Sequence, residues 1–338
     1  MDESRFTGLE HGAPDESSAD SRGAVTKRRA EREKQRRRRA QMRRKRIFVI
    51  AGLILAVTVV ALLTYGIYQY FHIAAQLRPE KAEREAIESA LDTPVTEAEV
   101  EDAGSVDLGE YVLLLGNDRR EGEVWTRSDT IILARLDHET GSVSMLSIPR
   151  DSYVAVPDHG MTKINHASAY GGAALAIQSV KDFTGLPVHH YVEIDFQGFE
   201  RIVDALGGVE MNVQTAVRGG AGELLVSPGV QLLNGKNALL YARDRKGYAD
   251  GDFSRMKNQQ ALMFALLKQA RQEENFTRLP SILESVSKHL KTDWTIPELL
   301  SVASDYRGID SSDMRTQTLP GTPQTIGGVS YVVIDEDE

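Results

Sequence analysis

Acidic and basic side chains stand side by side in three short segments of the chain, each where an apolar run begins or ends. In α/β sheets, ligands bind outside strand ends, where loops hold polar groups over a rigid base. Carboxylates combined with several arginines indicate an anionic ligand that also binds a hard cation, and a diphosphate with Mg²⁺ fits best. The segments are GNDRR at 116–120, RSDT at 127–130 and SIPRD at 147–151.

A second polar group lies at 243–259. Arg243 and Arg245 are two residues apart and share a face if that segment is extended. Arg255 and Gln259 are neighbours at i and i+4 on a predicted helix. Because isolated surface charges need not collect at element ends, we predict that these groups converge on one anion. The arginines near predicted element ends are Arg127, Arg150, Arg243, Arg245 and Arg255.

Alternating strands and helices from Gly109 onwards must position these residues, and the alternation predicts an α/β fold. The first predicted strand ends at Asp118, the second begins just after Asp129, and the third ends at Arg150. Strands are predicted at 111–115, 130–134, 143–148, 191–194, 209–213, 315–319 and 329–334. Helices are predicted at 173–184, 196–206, 234–241, 254–271, 281–289 and 296–306, and 218–229 is predicted to be a loop or hairpin.

The 338 residues contain no cysteine, which excludes disulfides, thiol nucleophiles and thiolate metal sites. The net charge of −9 combines a strongly basic segment, 27–46, with an acidic remainder. This basic segment could be a nucleic-acid arm, but its neighbour indicates a membrane instead, and we expect no nucleic-acid partner.

A run of 22 uncharged residues, 47–68, follows the basic segment and is long enough to span a hydrocarbon core of about 30 Å. The positive-inside rule then places the N-terminus in the cytoplasm. A cleaved signal peptide is the alternative, but the run is too long for one. We predict a disordered basic cytoplasmic tail at 1–46, a transmembrane helix at 47–71, a stalk at 72–108 and an extracytoplasmic catalytic domain at 109–338. A first domain helix is the alternative for 80–91.

Seven strings in this order resemble the LytR–CpsA–Psr family. They are GNDRR 116–120, RSDT 127–130, SIPRD 147–151, KINHASAYGG 163–172, VDALGGVEMNV 203–213, LNGKNALLYARDR 233–245 and GDFSRMKNQ 251–259. The resemblance implies a three-layer α-β-α sandwich with a central mixed sheet after one transmembrane helix. It also implies a membrane-anchored phosphotransferase that moves a glycopolymer (teichoic acid, capsule or arabinogalactan type) from a polyprenyl diphosphate carrier to peptidoglycan, with a lipid-tail pocket in the apolar core.

The resemblance also implies roles for individual residues. Asp118 and Asp129 match Mg²⁺-binding acids, and Lys163 matches a further phosphate contact. The catalytic and diphosphate-binding groups that match are Arg127, Arg150, Arg243, Arg245, Arg255 and Gln259. Phosphoryl transfer requires mainly positioning and charge neutralisation, which Mg²⁺ and guanidinium groups supply.

Other assignments stay open or are structural. Asp151 and Asp252 are candidates for the general base. His166, His189 and His190 lack the spacing of a zinc site and are predicted to be structural. Phe183, Phe196 and Phe199 are predicted to be core residues.

Three alternative functions remain. A pyrophosphate hydrolase acting on polyprenyl diphosphate lipids would use the same residues, with water as the acceptor. A lipid-phosphate binding module would not need the pair of aspartates. A non-enzymatic cell-wall regulator would need a DNA-reading element, and residues 1–46 show no helix-turn-helix pattern.

The predicted topology is testable with a reporter fused after Glu338. Because the basic segment precedes the apolar run, a reporter that works only outside the cell should be active. Activity of a cytoplasm-only reporter at the same position would contradict this topology.

Overall fold

The computed structural model describes residues 57–92, 109–118, 126–244, 252–309 and 313–334. The predicted tail at 1–46 lies outside the described residues, as do 93–108 of the predicted stalk. The contacts of the chain divide it into two units, Met1–Gln69 and Tyr70–Glu338.

One helix among the described residues, α1 (Val57–Leu77), is long and apolar enough to cross a membrane by length and composition. Its large apolar side chains from Val57 to Phe71 are exposed, including Leu62 at 65% and Phe71 at 65%, whereas Leu77 at its end is 1% exposed. A helix of this kind agrees with the predicted membrane anchor. The orientation of the anchor stays a prediction.

A six-stranded mixed sheet forms the centre of the second unit. Its strands are β1 (Glu110–Asn117), β2 (Ser128–Leu136), β3 (Val143–Ser147), β6 (His190–Asp195), β11 (Leu290–Thr292) and β12 (Met314–Thr318). They lie in the order β11-β6-β1-β2-β3-β12. β1, β2 and β3 are antiparallel neighbours, β6 runs parallel to β1, β12 runs parallel to β3, and β11 is antiparallel to β6.

Helices cover both faces of the sheet, which explains why β1 reads as a nearly continuous apolar run. The helices after α1 are α2 (Lys81–Ala90), α3 (His166–Thr184), α4 (Phe196–Ala205), α5 (Gly235–Arg243), α6 (Asp252–Ala270), α7 (Glu273–Thr277), α8 (Leu279–Val286) and α9 (Ile296–Asp305). Leu113 of β1 packs towards α2 and α3, whereas Val112 packs towards α6 and α9. The predicted three-layer α-β-α sandwich with a central mixed sheet is confirmed.

In the part of the chain that the structure describes, four two-stranded antiparallel sheets extend these layers. The 218–229 region, predicted as a loop or hairpin, contributes one of them. The others include strands that the periodicity did not reveal, because short exposed strands carry little apolar pattern. The pairs are β4 (Tyr153–Val156) with β5 (Gly160–Lys163), β7 (Val209–Val213) with β10 (Gly229–Leu233), β8 (Val217–Arg218) with β9 (Leu224–Val226), and β13 (Gly321–Ile326) with β14 (Val329–Ile334).

Helix α3 begins at His166, seven residues before the predicted start. The helix is kinked at Gly171 and Gly172, and Gly172 has φ 63° and ψ −155°, a conformation that favours glycine. The helix predicted at 173–184 therefore starts too late, because α3 continues across this glycine pair. Burial of Ala167, which is 0% exposed, keeps the preceding turn on the sheet.

Helix α2 packs on the domain, so the structure favours the alternative interpretation of 80–91 over a free stalk. Ile87 is 1% exposed and lies in the core cluster of α3. Beyond the helix, Asp92 accepts hydrogen bonds from Lys181 Nζ at 2.9 Å and from the Val188 N–H at 3.0 Å. The domain therefore includes residues well before Gly109.

At the start of β1 and β6, His190 lies between two carboxylates. Its Nδ1 is 2.5 Å from Asp293 Oδ2 and its Nε2 is 2.7 Å from Glu110 Oε1. Burial lowers the pKa of His190, but the hydrogen bonds and charges of Asp293 and Glu110 outweigh burial and raise this pKa to about 9. The structural role predicted for His190 is therefore that of a charged cross-link between β1, β6 and the β11–α9 turn.

This cross-link predicts a pH dependence of stability. Since the folded-state pKa is raised, the contribution of His190 is complete below its unfolded pKa near 6.5 and is lost as the pH rises through about 9. We expect the difference in thermal unfolding midpoint between wild type and His190→Gln to shrink between pH 7 and pH 10, by an amount equivalent to roughly 2–3 kcal/mol.

The matched control is His138→Gln, because His138 contacts the same Glu110 carboxylate from an exposed position. A wild-type advantage over His190→Gln that stays constant across this pH range would contradict the prediction.

Candidate functional site

The sheet brings the predicted strand ends to one edge. β1 and β2 are antiparallel, and Asn117 pairs with Ser128. Asp118, directly after Asn117, and Arg127, directly before Ser128, therefore lie at the same edge of the sheet. β3 pairs with β2 and ends at Ser147, three residues before Arg150. Polar groups that are separated in sequence therefore meet at the end of three neighbouring strands, as we expected for a ligand site.

A polar cavity of about 590 Å³ opens at this edge. Five of the predicted site residues line it. Thr126, Asp151 and Asn165 complete its wall. The predicted residues in this cavity are Asp118, Arg127, Asp129, Arg150 and Lys163.

Ion pairs hold Arg150 and Lys163 in place in the polar cavity. Arg150 contacts Asp129 through a short charge-assisted hydrogen bond and approaches Asp151 at 3.7 Å. Asp151 in turn accepts a hydrogen bond from Lys163 at 2.8 Å. Asp151, one of our candidates for the general base, is thus paired with two cations.

Asn165 is a site residue that the sequence analysis did not single out. Its side chain lines the polar cavity and is 3% exposed, and its Oδ1 has no hydrogen-bond partner among the described residues. It stands at the N-cap position of α3 without capping the helix. The only sequence signal for it was its place within the KINHASAYGG string.

The second predicted group borders the polar cavity from α5 and α6. Arg243 ends α5, lies 3.9 Å from Asp118 Oδ2 and stacks over Phe196 at 4.3 Å. Arg255 is 3% exposed, and Gln259 donates a hydrogen bond to the Ala242 carbonyl at 3.3 Å. Arg245 lies outside the described residues, and so does the side chain of Asp252.

An apolar cavity of about 430 Å³ adjoins this second group. Its polar lining residues are Thr130, Asp195, Asp129, Arg243, Arg255 and Gln259. The last four lie at the end that meets the polar cavity, which Asp129 also lines, and we call this end the entrance. Beyond the entrance the wall is almost entirely aliphatic and aromatic. It includes Phe196, Phe199, Ile194, Ile202, Leu262, Leu266, Ala270 and Leu290. Phe196 and Phe199, which we predicted as core, therefore line a space rather than fill it.

The apolar cavity follows helix α6. Arg255 stands at the polar end of the cavity and Ala270 lines its far end. The distance between these two positions along the helix is about 22 Å at a rise of 1.5 Å per residue. Its lining comes from the sheet face that carries Ile132 and Val192, opposite to the face that packs on α3. A long apolar chain with an anionic end fits such a space.

The donor set of the polar cavity fits a hard cation. Asp118 and Asp129 offer carboxylate oxygens, and Asn165 offers an amide oxygen without a protein partner in the described part of the chain. Within that part, no group of three His, Asp or Glu residues forms a self-sufficient metal site.

Comparisons with known proteins agree with this geometry. A sequence model of the LytR_cpsA_psr family matches residues 69–338. The chain is 33% identical to the polyisoprenyl-teichoic acid–peptidoglycan teichoic acid transferase TagU of Halalkalibacterium halodurans, over 87% of this chain and 95% of that protein.

Solved structures share the fold. The crystal structure of Bacillus subtilis TagV has a TM-score of 0.61 and 29% identity, covering 68% of this chain and 92% of that one. The LytR-CPS2A-psr family protein TagT with bound octaprenyl pyrophosphate lipid has a TM-score of 0.53 and 26% identity, covering 68% of this chain and 85% of that one.

Proposed function

The chain belongs to the LytR_cpsA_psr family, and we propose that it is a membrane-anchored transferase that moves a teichoic-acid-type glycopolymer from a polyprenyl diphosphate carrier to peptidoglycan. The transferase activity predicted from the sequence agrees with the teichoic acid transferases among its relatives. One observation carries the proposal for this chain: a cation-rich polar cavity joins an aliphatic cavity at Asp129.

Each part of a polyprenyl diphosphate has a matching environment. The apolar cavity along α6 takes the isoprenoid chain, and each buried methylene contributes about 0.8 kcal/mol. The diphosphate then lies at the entrance, within reach of Arg150, Arg243 and Arg255. Each charge-assisted hydrogen bond from a guanidinium to a phosphate contributes about 1.5–3 kcal/mol. Arg243 suits the boundary because its flat guanidinium stacks on Phe196 while its edges stay free to donate.

The reaction we propose is a phosphoryl transfer to a hydroxyl of peptidoglycan. The hydroxyl oxygen bonds to the phosphorus that carries the sugar, and the bond from this phosphorus to the bridging oxygen breaks. Polyprenyl phosphate leaves with the electron pair, and the hydroxyl proton is released. Positive side chains around the diphosphate stabilise the charge that builds up on the leaving phosphate. The protein needs no nucleophile of its own.

Asp118 and Asp129 are the residues that would hold Mg²⁺, with Asn165 Oδ1 close by in the same cavity. Bound there, the ion would neutralise phosphate charge during transfer. Asp129 also keeps Arg150 in place, and Asp151 does the same for Lys163. The phosphate-binding cations are therefore oriented before substrate arrives, which lowers the entropic cost of binding.

The metal proposal is tested with Asp129→Ala. We expect Mg²⁺-dependent transfer of a lipid-linked glycopolymer to peptidoglycan to be abolished, because one of two carboxylate ligands is lost. Thermal unfolding should show a folded protein, since Arg150 keeps Asp151 at 3.7 Å. Asp182→Ala, on the exposed side of α3, is the control. If a chelator leaves transfer by the wild type unchanged, Asp118 and Asp129 do not form a metal site that the reaction needs.

The lipid proposal is tested with Ala270→Trp, which fills the far end of the apolar cavity. Affinity for octaprenyl diphosphate should fall tenfold or more, since a tenfold loss corresponds to only about two excluded methylenes. Affinity for geranyl diphosphate should stay within about twofold, because the short chain does not reach that end.

Lys268→Trp places the same ring on the exposed side of α6 and should leave both affinities unchanged. Equal losses for the long and the short lipid in Ala270→Trp, with unfolding unchanged, would show that the chain does not lie along α6.

A further inference from the structure

Three rings form a continuous strip beside the polar cavity. His166 and Tyr170 lie on one face of α3, four residues apart, with ring centroids 5.7 Å apart. Tyr170 contacts His159, at the β4–β5 turn, with centroids 4.3 Å apart. We call His166, Tyr170 and His159 the aromatic strip. None of its rings is buried, and Tyr170 is 43% exposed.

The aromatic strip begins at the phosphate-binding groups. Lys163 and Asn165 line the polar cavity, and His166 is the next residue along the chain. Burial and the charges of Arg127 and Lys163 lower the pKa of His166, although Asp151 partly opposes them. Thr162 Oγ1 fixes the ring through a 2.8 Å hydrogen bond to Nδ1. The turn that carries His166 is anchored by a 2.6 Å hydrogen bond between Ser168 and Ser128, next to Asp129.

The strip and the apolar cavity lie on opposite faces of the sheet. The apolar cavity is lined from the face of Ile132 and Val192, whereas α3 packs on the face of Leu113 and Leu133. The polar cavity lies between them at the sheet edge. A diphosphate bound at this edge therefore has its lipid on one face and open space over the rings on the other.

A sugar is the group that this surface suits. A pyranose presents an apolar C–H face and a rim of hydroxyls. The negative face of an aromatic ring attracts the polarised C–H bonds, while the tyrosine hydroxyl and the imidazole nitrogens remain available to the rim.

We propose that the aromatic strip binds the saccharide that is joined to the diphosphate of the lipid-linked donor, an inference that rests on the transferase function proposed above. The donor sugar is the occupant because its covalent bond to the phosphate keeps it within reach of His166 whenever the diphosphate is bound. Tyr170 then stacks on this sugar or on the next one along the polymer. The strip would in this way select donors that carry a glycan over the bare carrier.

The test compares two ligands on the full-length chain in detergent micelles: octaprenyl diphosphate, and octaprenyl diphosphate that carries a disaccharide. Tyr170→Ala should weaken binding of the sugar-bearing lipid about three- to tenfold and leave the sugar-free lipid within about twofold. Tyr170→Phe, which keeps the ring, should retain most of the affinity. His138→Ala is the control, because it breaks another His–Tyr ring pair, with Tyr306, at the other end of β2.

Three results would contradict either the saccharide subsite or the function on which it rests. Equal losses for both lipids in Tyr170→Ala, or no loss for either, would overturn the saccharide subsite. A weaker dependence on peptidoglycan fragments, with donor binding unchanged, would assign the strip to the acceptor and overturn the donor assignment. If the wild type binds neither lipid, the proposed function itself fails, and this result is distinct from a failure of the strip.

Discussion

The gathering of cations at one sheet edge is the constraint on which the rest of the structure depends. Arg150 and Lys163 would repel each other in a confined cavity without counter-charges. Asp129 and Asp151 alternate with them and make the empty cavity stable. These pairs are held on strands and on a hairpin next to them, so the cations stay oriented without a ligand. The same alternation places carboxylates where a phosphate-bound cation would need them.

An apolar cavity of this size destabilises a folded domain as long as it stays empty. A space left empty in a core removes contacts from every side chain around it, at about 24 cal/mol per Å³ in measured cases. Phe199, Leu262 and Leu266 pack in one hydrophobic cluster and also line this space. A lipid chain would restore the missing contacts, so occupancy should also stabilise the domain. A lipid would bind in this cavity in one orientation, because only its anionic end matches the arginines at the polar entrance.

The sheet separates the parts of the ligand. Alternate residues of β1 and β2 point to opposite faces, so Val112 and Leu113 belong to different clusters. One face carries the apolar cavity and the other carries α3 with its exposed rings. The reacting phosphate would therefore stand at the sheet edge, with its hydrophobic and hydrophilic substituents directed to different layers. A single sheet edge can hold this phosphate between the two layers because antiparallel β1 and β2 bring Asp118 and Arg127 together.

Local patterns determined much of this protein from its sequence. The uncharged run after the basic segment, the alternation of strands and helices, and the charged residues at strand ends are properties of short stretches, and each was readable as such. The motif order identified the family for the same reason. Tertiary structure decided what depends on distant segments: α3 continues across Gly171 and Gly172 because the preceding turn packs on the sheet, and α2 joins the domain by covering α3. It also divided the predicted arginines between the polar cavity and the entrance of the apolar one. The family resemblance implied a lipid-tail pocket, but local patterns revealed neither the lining of the apolar cavity nor the role of Asn165, because an unfilled space and an unpaired oxygen arise only from how separate elements pack.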